Sequence, residues 1–166
     1  MIVRGGDLRP EGVRLELKLE LQPLSYGGDL EIGVEAANLK AWVRPSRDGV
    51  TCTGHLTAHV LVPCSRCIEP YAVAIDRNFD LSYVSRPAGL AADNLDLRIP
   101  RRDLNVGYLD DNRSLDMDSL AVEQIYLELP MKPLCSSDCR GLCVHCGANL
   151  NMAVCRCAHP HGPSPD

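Results

Sequence analysis

Eight cysteines fall in four short-spaced pairs: Cys64/Cys67, Cys135/Cys139, Cys143/Cys146 and Cys155/Cys157. Pairs at this spacing bring two sulfurs to one metal ion, and two pairs fill a tetrahedral structural zinc site. The stretch "CVHCG" (Cys143–Gly147) has the zinc-knuckle pattern, with Gly147 free to take a positive φ that turns backbone N–H groups toward sulfur. Cys155 and Cys157 supply the remaining two ligands after a short loop, giving one four-cysteine set. Cys135 and Cys139 are then two short of a set, and so are Cys64 and Cys67, roughly seventy residues upstream. Joining them makes a second site that ties distant parts of the chain together. Two structural Zn²⁺ ions are therefore expected. A rival grouping stays open: Cys135, Cys139, Cys143 and Cys146 in one site, with Cys155 and Cys157 joining Cys64 and Cys67. The first keeps the knuckle with its nearest downstream pair.

The ninth cysteine, Cys52, lies on the apolar side of a strand pattern and reads as a buried, inert thiol. His55 and His59 share the polar side of that strand, where exposed histidines are ordinary. An odd cysteine total argues against a fully paired disulfide framework. With no secretory or transmembrane pattern, the chain reads as cytoplasmic, where thiols stay reduced and bind metal. No paired-carboxylate, nucleophile–base or phosphate-loop motif is evident. All-cysteine sites point to structure rather than catalysis, so no enzyme activity and no small-molecule substrate are expected. A thiol redox sensor or zinc reservoir is the alternative.

The elements that position these cysteines follow from hydrophobic period. "RLELKLELQPL" (Arg14–Leu24), "NLKAWVRP" (Asn38–Pro45), "VTCTGHLTAHVLV" (Val50–Val62) and "YAVAIDRNFDLSYV" (Tyr71–Val84) read as strands. "PCSRCIEP" lies between the last two, so Cys64 and Cys67 belong at the tip of an antiparallel hairpin. From Asp116 the period changes: Met117, Ala121, Ile125 and Leu129 recur four apart, with Val122 beside them, as on an amphipathic helix. Asp116 or Asp118 can cap it, and Pro130 ends it. The fold class is α+β and β-rich: an antiparallel sheet, one main amphipathic helix and a C-terminal zinc-binding cysteine tail. A β-rich core spans 1–132, with its helix near 117–129. The cysteine tail spans 133–158, and 159–166 reads as disordered.

The formal net charge of −5 is not that of a general nucleic-acid binder. Basic groups gather locally, at Arg66 on the hairpin tip and at Lys132, Arg140 and Arg156 in the tail. Within 131–160 these three tail cations face one acid, Asp138. These four residues are the candidate RNA or partner contacts, with Arg98, Arg101 and Arg102 in "RIPRRD" as a second group.

"VPCSRCIEPY", "AVEQIYLELPMKPLCSSDCRGLCVHCGANLN" and the final "CRC" together resemble the YceD family of large-subunit ribosomal RNA accumulation proteins. The resemblance implies a cytosolic bacterial, non-enzymatic factor for ribosome biogenesis, needed for accumulation or processing of large-subunit (23S) ribosomal RNA. Implied partners are precursor large-subunit ribosomal RNA, a ribosomal protein or an assembly protein, with no membrane. It also favours keeping Cys64, Cys67, Cys135 and Cys139 as a unit, because some relatives lack the distal tail but keep that region.

Overall fold

The computed structural model describes residues 1–26, 30–85, 106–109 and 113–157. Arg98, Arg101, Arg102, most of the Ser85–Asn94 connection and the 159–166 tail lie outside the described residues. The strands are β1 (Ile2–Arg4), β2 (Val13–Leu19), β3 (Leu24–Ser25), β4 (Glu31–Pro45), β5 (Gly49–Pro63), β6 (Pro70–Ser85), β7 (Val106–Leu109) and β8 (Ser114–Asp116), followed by helix α1 (Met117–Glu128).

The main sheet runs in the order β2-β4-β5-β6-β7, with β3 added beside β4, while β1 and β8 form a separate two-stranded ribbon. The antiparallel reading holds for β2 through β6, but β7 joins β6 in parallel, so the sheet is mixed. A parallel neighbour needs a long crossover, and the chain between β6 and β7 is long enough to make one.

Strict alternation sorts the side chains. Leu39, Val43, Cys52, Leu56, Val60, Val62 and Ile75 are buried on one face of the sheet. Helix α1 covers that face with Met117, Leu120, Ala121 and Ile125, all essentially inaccessible. Each large apolar side chain so buried contributes about 1.5–3 kcal/mol. The helical stripe follows a three–four spacing and includes Leu120 and Gln124, not the four-residue spacing alone, and Leu129 falls just past its end. Gln124 is buried and polar, and Arg77 Nε of β6 donates to its Oε1 at 2.9 Å while the same guanidinium pairs with Glu128. The helix starts where Asp116 Oδ1 accepts from Asp118 N at 3.1 Å, so Asp116 is the cap. Beyond α1, Pro130 and a buried Pro133 send the chain back to the β5–β6 hairpin.

Candidate metal centres

The hairpin tip is a tight knuckle. Cys64 N donates to Glu69 O at 3.0 Å and Ile68 N to Cys64 O at 2.9 Å. Arg66 N then points at Cys64 Sγ, 3.5 Å away. The tail repeats the same pattern residue for residue. Cys143 N donates to Ala148 O and Gly147 N to Cys143 O, both at 2.8 Å, and His145 N faces Cys143 Sγ at 3.4 Å. The residue after the second cysteine has positive φ in both knuckles, +65° at Ile68 and +71° at Gly147. Glycine takes that conformation freely, whereas a β-branched residue is held in it only by its surroundings. The upstream knuckle is therefore hidden from glycine-based pattern reading.

The segment after α1 brings the missing sulfurs. Ser65 N donates to Pro133 O at 2.8 Å, and Leu142 N to Arg66 O at 3.1 Å, clamping the tail along the hairpin tip. The sulfurs of Cys64, Cys67, Cys135 and Cys139 lie within 4.8 Å of one another, with Cys64 3.7 Å from Cys139 and Cys67 3.6 Å from Cys135. The sulfurs of Cys143, Cys146, Cys155 and Cys157 form a second group within the same limit, with neighbours at 3.4, 3.6 and 4.0 Å. Cys135 and Cys139 thus group with the hairpin pair, not with Cys143 and Cys146. A Zn–S bond of about 2.3 Å gives tetrahedral S···S edges of about 3.8 Å. A disulfide would hold them at about 2.05 Å. The spacings fit two tetrahedral metal sites.

Electrostatics favour a cation in each. Burial alone pushes the Cys64 thiol up, but the N–H groups of Cys135, Cys67 and Arg66 outweigh it and hold it at about 6. The Cys146 and His145 N–H groups hold Cys143 at about 6 as well. In the same clusters, Cys139 pushes its neighbour Cys135 up to about 12, and Cys155 and Cys146 push Cys157 up to about 12. Each cluster therefore ionises its first thiol easily and resists its last, until a divalent cation offsets the repulsion. Zinc bound there would be closed to substrate and would act as a crosslink.

The two sites differ in exposure. Cys64, Cys67 and Cys139 are buried, packed against Tyr71, Leu134 and Leu142, and only Cys135 is exposed. In the second, Cys143 alone is buried, Cys146 is exposed, and Cys155 and Cys157 are half-buried. Asn151 joins them. It sits between the two halves of the second site, yet its Nδ2 donates to Cys139 Sγ at 3.3 Å and its Oδ1 accepts from Arg140 N at 2.7 Å. Asn151 has no role assigned from sequence, although it closes the "CVHCGANLN" stretch that carries the family resemblance.

Of the basic candidates, Arg66 sends Nη1 to Cys139 O at 3.0 Å, so its guanidinium already serves the first cluster. Lys132, Arg140 and Arg156 are exposed around the cysteine groups. Cys52 is buried and its thiol is pushed up to about 12 by burial, then by Asp80. His55 Nε2 lies 2.8 Å from Asp76 Oδ1, and neither His55 nor His59 joins a metal-type cluster among the described residues.

A family model described as large ribosomal RNA subunit accumulation protein YceD matches residues 52–165. The chain belongs to the YceD family. The match covers both knuckles, the helix and the tail. Similar curated proteins include an uncharacterised protein of Mycobacterium leprae, 27% identical over 86% of this chain and 58% of its own length. Another is the chloroplastic YCED homolog 1 of Arabidopsis thaliana, 24% identical over 90% of this chain and 50% of its own. The chain spans about half the length of these relatives. No solved structure matches it. No helix among the described residues is long and apolar enough to cross a membrane.

Proposed function

We propose that this YceD-family chain is a non-enzymatic factor that supports accumulation or processing of large-subunit (23S) ribosomal RNA in the cytoplasm. Two structural Zn²⁺ ions hold it together, one on Cys64, Cys67, Cys135 and Cys139, the other on Cys143, Cys146, Cys155 and Cys157. The core of 1–132 is the scaffold, and 133–158 is a tail stapled to it by the first ion. Precursor ribosomal RNA, or a ribosomal or assembly protein, is the partner, with Lys132, Arg140 and Arg156 the exposed cations beside the metal sites and Arg66 the most committed to structure.

The observation that carries this reading is the family match over a region that contains every paired cysteine. The tetrahedral sulfur spacings supply the physical reason for the zinc. The test is removal of the chain from its host, followed by measurement of mature and precursor 23S RNA. Loss of mature large-subunit RNA, restored by the parent but not by a Cys64→Ser/Cys143→Ser variant, is expected. Unchanged large-subunit RNA overturns the reading.

A further inference from the structure

Helix α1 covers one face of the main sheet, while the opposite face has no element packed on it among the described residues. Register places Arg14, Glu16 and Lys18 of β2 opposite Trp42, Lys40 and Asn38 of β4. Thr53 and Thr51 of β5 lie beside Trp42 and Arg44. Trp42 is the chain's one tryptophan, and it stands on this open face rather than in the core. Arg14 Cζ lies 4.9 Å and Arg44 Cζ 4.3 Å from its ring centroid. The indole N–H is anchored to Glu11 O at 3.1 Å, which fixes the ring's orientation.

The charge on this face is not uniform. Arg14, Lys18, Lys40 and Arg44 line this face where β2 pairs with β4, with Glu16 held 2.9 Å from Lys40, while the exposed Glu31 and Glu35 lie further back along β4. Asp76 and Asp80 stand on the same face of β6, across β5. An anionic chain laid on the sheet is drawn along β2 and the half of β4 that pairs with it, and repelled from β6. An aromatic ring and arginine planes inside a cationic stripe are the elements by which proteins hold single-stranded nucleic acid. The duplex alternative fits poorly, because a flat pleated face offers no element to enter a groove.

We propose that this open face is a single-stranded RNA platform centred on Trp42, Arg14 and Arg44, with Lys18 and Lys40 on the phosphates. A base replaces one arginine on the indole, and the freed guanidinium moves to a phosphate. The platform lies on the sheet, apart from the cysteine-lined end, and it rests on the reading of the chain as a ribosomal RNA factor.

The experiment is a titration of the zinc-loaded chain with single-stranded oligouridylate, followed by Trp42 fluorescence and by an independent filter-binding assay. Duplex RNA of equal length and poly-glutamate are run alongside. Quenching by the single strand, weaker binding of the duplex, and a log–log salt slope of about −2 from three phosphate contacts are expected. Trp42→Leu should weaken binding about ten-fold. Because Trp42→Leu can perturb β4, Lys18→Glu/Lys40→Glu, on exposed side chains, serves as the second variant. It should weaken binding and flatten the slope by about one to one and a half. RNA binding that leaves Trp42 silent, survives both variants and is lost in Arg140→Glu/Arg156→Glu overturns the platform while sparing the proposed function. Equal quenching by poly-glutamate also overturns it, assigning the face to an acidic protein segment. Absence of RNA binding by the parent chain in both assays overturns the platform, and normal 23S RNA in the host lacking the chain separately overturns the functional reading.

Discussion

Cys135→Ser and Cys146→Ser are a matched pair of perturbations. Both side chains are exposed, so neither substitution opens a cavity, and each removes one sulfur from one four-sulfur group. Their consequences should differ because the groups close loops of different length. Cys67 and Cys135 are 68 residues apart, and the loop between them contains β6, β7, β8 and all of α1. Crosslinking such a loop removes about 4 kcal/mol of chain entropy from the unfolded state in the loop-closure account. The zinc ion's binding free energy is what closes this loop, so about 4 kcal/mol sets the scale of the loss. For a chain of this size the loop contribution alone corresponds to about 10–15 °C in melting temperature. Cys146 and Cys155 are nine residues apart, and their loop lies wholly in the tail, so its loss should leave the sheet standing. Trp42 in β4 reports the sheet directly. Thermal or urea unfolding followed by its fluorescence, with zinc per chain measured on the same samples, makes the comparison. Cys135→Ser should lose one zinc and melt at least about 10 °C lower, whereas Cys146→Ser should lose one zinc and melt within about 3 °C of the parent. An equal fall in both, or a Cys135→Ser protein that has lost its zinc but melts normally, would refute the staple.

The metal-replete chain should carry two zinc ions by elemental analysis, with Cys64→Ser and Cys139→Ser each losing the same one and the double variant losing no more. A chelator or mild peroxide should strip the Cys143/Cys146/Cys155/Cys157 ion first, since three of its sulfurs reach solvent; simultaneous release of both ions, followed with a zinc-sensitive dye, would argue against this order. Cys64 and Cys143 have folded pKa values lowered from 9.0 to about 6, so thiolate-linked stabilisation is complete only above the unfolded value and fades as pH falls through 6. Below that pH zinc must displace one more proton per site, so log affinity plotted against pH should steepen by about one there; a constant slope between pH 5 and 8 would count against it. Gly147→Ala meets no atom within 4 Å of the added Cβ but places alanine at φ +71°, so it should weaken the second site by about 1–2 kcal/mol through backbone strain alone, read by competition for zinc.

Period-two alternation in "VTCTGHLTAHVLV" and "YAVAIDRNFDLSYV" was enough to place β5 and β6 within a residue of their observed ends. One face was to be buried, and a register slip would have exposed every Leu and Val on it. The length of β4 was less legible. Its first half, from Glu31, breaks alternation at a bulge between Val34 and Ala36, which moves the pattern onto the other face. The parallel partner β7 lies in "LDLRIPRRDLNVGYLDDN", which reads as one or two short extended pieces, but four residues are too few to show a period or name a partner strand. The helix was visible, but a strict four-residue spacing overlooked Gln124. Its amide sits on the buried stripe only because Arg77, 47 residues away, satisfies it.

The two knuckles show the same division between local and tertiary information. Both cysteine pairs have the same spacing and hydrogen bonds, and both need a left-handed residue after the second cysteine. In the tail that residue is Gly147, which adopts the conformation without cost, so the pattern is written in sequence. At the hairpin it is Ile68, for which the conformation is unfavourable by about 1–2 kcal/mol. Something outside the tip must hold it. The clamps are visible: Ser65 to Pro133, Arg66 to Cys139 and Leu142 to Arg66, all bonds to the segment that carries Cys135 and Cys139. The upstream knuckle therefore depends on the docked tail for its geometry, while the tail knuckle is conformationally self-sufficient. Relieving the strain with Ile68→Gly should make the hairpin pair less dependent on the tail. In a Cys135→Ser/Cys139→Ser background, this substitution should strengthen residual zinc binding by Cys64 and Cys67, measured by competition with a chelating dye. No change, or a weakening, would mean that the tail supplies sulfur alone and does not shape the knuckle.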